Sequence, residues 1–169
     1  MKRLLFICFI VALFANSTFA QKQKYQSLFI YNFTKYIQWP ESYGSEKFVI
    51  GVIGDSEIFE SLEEMASKKK TTATGEELVI EKYESAEDMG HCNVLFLSSS
   101  AAGELSKIDK GAEAKPILII TESPGLATQG SVINFVELND KIRFELNKKE
   151  AVNRGLIVSG ELSSLAIVI

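Results

Sequence analysis

The sequence predicts an α/β fold, a three-layer sandwich around a mostly parallel sheet of about six strands with an antiparallel edge hairpin. Three observations carry this expectation. Short, wholly apolar runs at 48–53, 94–97 and 117–120 alternate with helical patterns, as strands buried on both faces of a parallel sheet require. Two strand-like segments, 132–138 and 141–146, are separated only by Asn139-Asp140, residues that tolerate the positive φ of a two-residue hairpin. The composition, 46% hydrophobic with 11 Phe and only 3 Pro in 169 residues, excludes disordered and collagenous chains and suits one folded domain. The layout is Rossmann-like, but no Gly-rich fingerprint follows the first strand and no phosphate loop is present, so no nucleotide cofactor is expected.

Residues 1–20 stand apart from this domain. Lys2 and Arg3 precede an apolar run from 4 to 14, and Thr18 and Ala20 supply the small residues of a cleavage site, the order of a secretory signal peptide. The run is too short for a membrane-spanning helix, although an uncleaved anchor is the alternative reading. Cleavage before Gln21 leaves 149 residues in one domain, 21–169, and the loss of Lys2 and Arg3 moves the formal charge from −4 to −6. An acidic chain of this kind does not suit a nucleic-acid partner. Cleavage also removes Cys8, so Cys92 has no internal disulfide partner. Cys92 is then either a small buried residue or a thiol that pairs with another chain.

The first element of the domain reads as one helix over 25–39, stopped by Pro40. Tyr25, Phe29, Phe33 and Tyr36 recur at spacings of four, four and three, with Leu28, Ile30 and Ile37 on the flanks. So wide an apolar circumference fits either a core helix or one that also forms a dimer or partner surface; its charges, Lys22, Lys24 and Lys35, are all positive. The strand 48–53 ends in Gly54-Asp55-Ser56, and Ile58, Phe59, Leu62 and Met65 mark an amphipathic helix. Residues 78–83 alternate like an edge strand. The strand 94–97 closes in Ser98-Ser99-Ser100 and a weak helix through Leu105 and Ile108, and the strand 117–120 ends at Thr121-Glu122. Ile142, Phe144 and Leu146 alternate with Arg143 and Glu145, which suggests an antiparallel strand at one edge. Asn147 with Glu150 forms an N-cap pair, Gly155 stops that helix, and a short helix follows Ser159. The apolar end, Ile167-Val168-Ile169, is expected to be tied down in a core or against a partner.

Ligands of doubly wound sheets sit outside the carboxyl ends of the strands, which makes Asp55, Ser56, Ser99, Ser100 and Thr121 the candidate ligand-binding residues. Helix capping explains the same serines without any ligand. Gly54-Asp55-Ser56 superficially resembles a lipase nucleophile block, but the single histidine, His91, precedes a strand and would lie at the other end of a parallel sheet. His91 and Cys92 alone do not make a metal site. No nucleophile, base and orienting group assemble, so no catalytic residue is assigned.

The segment Leu28-Phe29-Ile30-Tyr31-Asn32-Phe33-Thr34-Lys35-Tyr36-Ile37-Gln38-Trp39-Pro40 resembles the N-terminal signature of the YfiR-like family of exported bacterial proteins. So do Ile53-Gly54-Asp55, Cys92-Asn93-Val94-Leu95-Phe96-Leu97, Ile133-Asn134-Phe135-Val136 and Ile142-Arg143-Phe144-Glu145-Leu146-Asn147 followed by Ala151 and Gly155-Leu156. The blocks keep the family's order and span nearly all of the chain after residue 20. The resemblance implies a periplasmic, dimeric α/β regulator, not an enzyme. Relatives bind the periplasmic part of an inner-membrane diguanylate cyclase and hold it inactive, with relief by an outer-membrane lipoprotein or by redox change. They thereby control cyclic-di-GMP and biofilm formation. Cys92 matches the family's strand cysteine without a partner cysteine, Gly130-Ser131-Val132 replaces a glycine pair before a methionine, and Ser159-Gly160-Glu161-Leu162 lacks a usual lysine. The candidate partner-binding residues are Asn32, Lys35, Trp39, Arg143, Glu145 and Asn147. A small-ligand sensor using the strand-end residues is the alternative.

Overall fold

The computed structural model describes residues 21–108 and 115–169; the expected signal peptide, residues 1–20, lies outside them. The apolar runs form the parallel centre of the molecule. Strands β2 (Lys47–Ile53), β4 (Val94–Leu97) and β5 (Leu118–Thr121) are buried over almost every residue, because side chains on both faces of the sheet meet a covering layer. With β1 (Ile37–Gln38), β3 (Glu77–Tyr83), β6 (Ile133–Leu138), β7 (Lys141–Leu146), β8 (Ile157–Val158) and β9 (Ile167–Val168), they build two sheets. The large one has seven strands in the order β3-β2-β4-β5-β6-β7-β9, and β1 pairs with β8 separately. All pairs of the large sheet are parallel except the β6–β7 hairpin. Asn139 and Asp140 have φ of 52° and 57°, the geometry that lets two residues reverse a twisted ribbon.

Helix α1, described over residues 21–36, and helices α2 (Ile58–Lys69), α3 (Lys148–Asn153) and α4 (Gly160–Leu165) contribute to one core, on one face of the sheet. In that core Phe29 and Phe33 of α1 meet Phe135 and Phe144 of the hairpin, the closest ring centroids being 5.1 Å apart between Phe33 and Phe144. The opposite face carries Val49, Ile53, Leu95, Leu97 and Ile119 beneath a 3-10 segment, Ser99–Lys107, that buries Ala101 and Leu105. The sequence suggested a weak α-helix there. Gly103 and the serines around it lower helix propensity, and the shorter turns still place two apolar residues inward.

Two further details differ from the expectation. Helix α1 ends at Tyr36 rather than at Trp39: Ile37 and Gln38 pair antiparallel with Val158 and Ile157, and Pro40 disfavours helical backbone at Trp39, the residue before it. Strand β7 is not the sheet edge, because the apolar terminus returns as β9 and pairs beside it through Glu145–Ile167 and Leu146–Val168. The alternation along β7 reflects one face, Phe144 and Leu146, packed in the core under α1 and an opposite face carrying Arg143 and Glu145, not an exposed edge. Among the described residues, no helix is long and apolar enough to cross a membrane.

Candidate functional site

Strand β2 leads through α2 to β3 on one side, while β4 lies on the other, so the crevice between the ends of β2 and β4 is where a ligand would sit in such a sheet. Its own chain fills it. Gly54 has φ of 92°, and a Cβ built there would stand 2.2 Å from Ser98 Oγ and 2.8 Å from Ala101 Cβ. Ser98 and Ser100 hydroxyls are 2.8 Å apart, and Ser100 Oγ accepts the Asp55 backbone N–H at 3.1 Å. Ser56 Oγ accepts the N–H of Ile58 at the start of α2. The Asp55 carboxylate points to solvent, 3.8 Å from Lys82 Nζ, an exposed pair of little energetic consequence. Ser99 is exposed beside them.

The structure places Thr121 elsewhere. Thr121, Asn134 and Glu145 are register partners across β5, β6 and β7 and face away from α1. Thr121 Oγ1 lies 2.8 Å from Asn134 Oδ1 and 3.0 Å from Ser131 Oγ, while Asn134 Nδ2 donates to Glu145 Oε2 at 2.9 Å. Thr121, Ser131 and Asn134 are fully buried. This polar rung orients the Asn134 amide, since its oxygen accepts on one side and its nitrogen donates on the other. The five ligand candidates therefore divide into a closed strand-end cluster and one residue of an internal network.

The partner candidates divide as well. Asn32 and Lys35 are exposed on α1. Arg143 and Glu145 face the opposite side of the sheet, because their neighbours Phe144 and Leu146 belong to the core under α1. Trp39 is an anchor: its indole N–H donates to the Asn93 carbonyl at 3.1 Å, and its ring meets Phe48 edge-on at 4.9 Å. With Lys35 it borders a groove of about 400 Å³ that also includes Asn93. Asn147 caps α3, accepting the Glu150 N–H at 2.9 Å and donating to Ala127 O at 2.7 Å.

Sequence reasoning missed Asn93, whose side-chain oxygen accepts the Val49 N–H and whose backbone N–H donates to Val49 O, locking the lower ends of β2 and β4. Its only sequence signal was a polar residue directly before an apolar run. Glu122, which the sequence marks only as part of a polar strand end, accepts from Lys22 Nζ at 3.2 Å and Gln26 Nε2 at 3.1 Å and so ties α1 to the end of β5. A groove of about 650 Å³ lies between the start of α1 and the hairpin, near Tyr25, Phe29 and Ile142.

Cys92 is a buried free thiol, and burial first, then the nearby Glu81 carboxylate, pushes its pKa up to about 12. Tyr43, whose hydroxyl donates to the Cys92 carbonyl at 3.0 Å, is likewise raised to about 12 by burial. A thiol so far from ionising is a packing group at neutral pH, not a nucleophile. His91 lies against the Tyr43 ring, before β4, while Ser56 follows β2; with these strands parallel, the two residues stand at opposite ends of the sheet. Among the described residues no group of three or more His, Cys, Asp or Glu side chains converges to hold a metal.

The chain matches the YfiR/HmsC-like family over residues 23–167, a span that includes both cores, the hairpin and the polar rung. A search of curated proteins finds no significant match. The match covers most of the sequence and all the motifs that carry the resemblance, and the chain belongs to the YfiR/HmsC-like family.

Proposed function

We propose that this protein is a periplasmic regulator, exported by cleavage of residues 1–20, that binds the periplasmic domain of an inner-membrane signalling protein and represses or tunes it. The family membership is the observation that carries this reading. By the family resemblance the partner is a diguanylate cyclase and the output cyclic-di-GMP and biofilm formation. The regulator acts as a homodimer, and an outer-membrane lipoprotein relieves it.

The geometry is compatible with recognition rather than chemistry. Polar groups at the strand ends bond to one another, whereas apolar side chains of the C-terminal segment remain in solvent: Val152 is 72% exposed and Ile157 65%, with Leu165, Val168 and Ile169 also uncovered. Exposed apolar residues recurring in one segment support a surface suited to a protein partner. The sensor alternative has less support, because the strand-end serines already satisfy one another.

Affinity capture from a membrane fraction, with the retained proteins identified by mass spectrometry, tests the reading. A membrane protein carrying a cyclase domain is expected, and its retention should fall when Ile157→Ser and Leu165→Ser are combined. Capture of no membrane signalling protein by the folded chain would contradict the proposal.

A further inference from the structure

We propose that the outward face of α1, together with the end of α2, docks the protein on an anionic lipid surface. This goes beyond the proposed repression and does not depend on it. The described part of α1 bears only positive charges, in a chain whose formal charge is negative. Lys24 and Lys35 are exposed on it, and Lys68, Lys69 and Lys70 end α2 alongside. The packing shows that these charges share one surface. Lys35 Nζ lies 4.8 Å and Lys69 Nζ 5.3 Å from the centroid of the Tyr31 ring, so ammonium groups from two helices flank one aromatic side chain. Lys24 is close enough to act on the Glu64 carboxylate, which is already paired with Lys68. Five lysines against Glu64 and the further exposed acids of α2, Glu60 and Glu63, leave the patch net positive.

Between these charges α1 exposes Leu28, at 42%, and Tyr25, at 50%. Lysines around an exposed tyrosine and leucine make the composition of a helix face that lies in the headgroup layer. The chemistry favours lipid over an acidic protein surface. The cations are flexible ammonium groups rather than guanidinium forks, and both arginines among the described residues are elsewhere, Arg154 buried and Arg143 across the sheet. Mobile point charges suit a fluid array of phosphates better than a fixed pattern of carboxylates.

Each lysine near an anionic bilayer raises partitioning roughly fivefold, so removing three should lower it about a hundredfold. The test is co-sedimentation of the protein with vesicles of phosphatidylglycerol and phosphatidylcholine, against phosphatidylcholine alone. Binding should require phosphatidylglycerol, weaken at high salt, and fall about a hundredfold in the combined Lys24→Gln, Lys35→Gln and Lys69→Gln variant. Arg143→Gln should bind as the unmodified protein does, and an unchanged circular dichroism spectrum excludes misfolding of either variant. Equal sedimentation with both lipids, or an unaffected triple variant, would overturn the proposal. Failure to bind either vesicle, with loss of native membrane association in the triple variant, would overturn it in favour of an acidic protein partner. Cyclase capture in detergent solution reads the repression proposal separately, because no lipid surface is then present.

Discussion

The crevice between β2 and β4 and the outer surface made by α1 and the C-terminal segment differ in one respect that bears on function. In the crevice every polar group that the sequence offered to a ligand, apart from the exposed Asp55 and Ser99 side chains, is engaged by the chain itself. On the outer surface Leu28, Ile157 and Leu165 have no such cover. Doubly wound sheets place ligands at their strand ends, but here the chain closes that position, and what remains open is surface. The difference favours a protein that works by being recognised over one that works on a small molecule.

The comparison breaks most sharply at Gly54. Gly54→Val adds a β-branched side chain at positive φ, where Ser98 and Ala101 leave no room. Strain and overpacking together should destabilise the fold by about 2–5 kcal/mol, read as a lower urea midpoint. Stability equal to that of the unmodified protein would mean that the crevice is open. Asn134→Ala should cost about 1–3 kcal/mol by leaving buried Thr121 and the Glu145 carboxylate short of a partner. Asn147→Ala, which removes the α3 cap, should cost about 1 kcal/mol, so thermal unfolding would show a fall of a few degrees. A larger loss of partner binding than of stability at Asn147 would restore it as a recognition residue.

Smaller at neutral pH, but distinct above it, is the effect of the group around Cys92. The folded state holds the Cys92 proton more tightly than the unfolded state, whose thiol keeps its ordinary value of 9.0. Its contribution is therefore complete below about pH 9 and is lost as pH rises toward 12. The urea midpoint should fall over that range, and less steeply in Cys92→Ala. A thiol reagent should label Cys92 at neutral pH only after unfolding; rapid labelling of the folded protein would contradict the buried placement.

The elements legible in the sequence were those set by local rules. Continuous apolar runs gave the central strands, Asn139-Asp140 the hairpin, and Asn147 with Glu150 the cap of α3. What escaped depends on contacts distant in the chain. Ile37 looked helical by spacing, but its backbone pairs with Val158, 121 positions later. Nothing local to 167–169 announces that two residues will extend the sheet beside β7. The candidate site was legible only as residue types. Spacing could identify polar strand ends, but it could not show that Thr121 turns into the sheet toward Asn134, or that Lys35 and Arg143 look out on opposite sides.

Reconstitution tests the central claim most directly. The purified protein is added to a detergent-solubilised membrane diguanylate cyclase that it captures, and cyclic-di-GMP synthesis is followed. The account predicts a saturable fall in the rate, weakened by Ile157→Ser with Leu165→Ser in a chain that stays folded. An unchanged synthesis rate at saturating complex would contradict it.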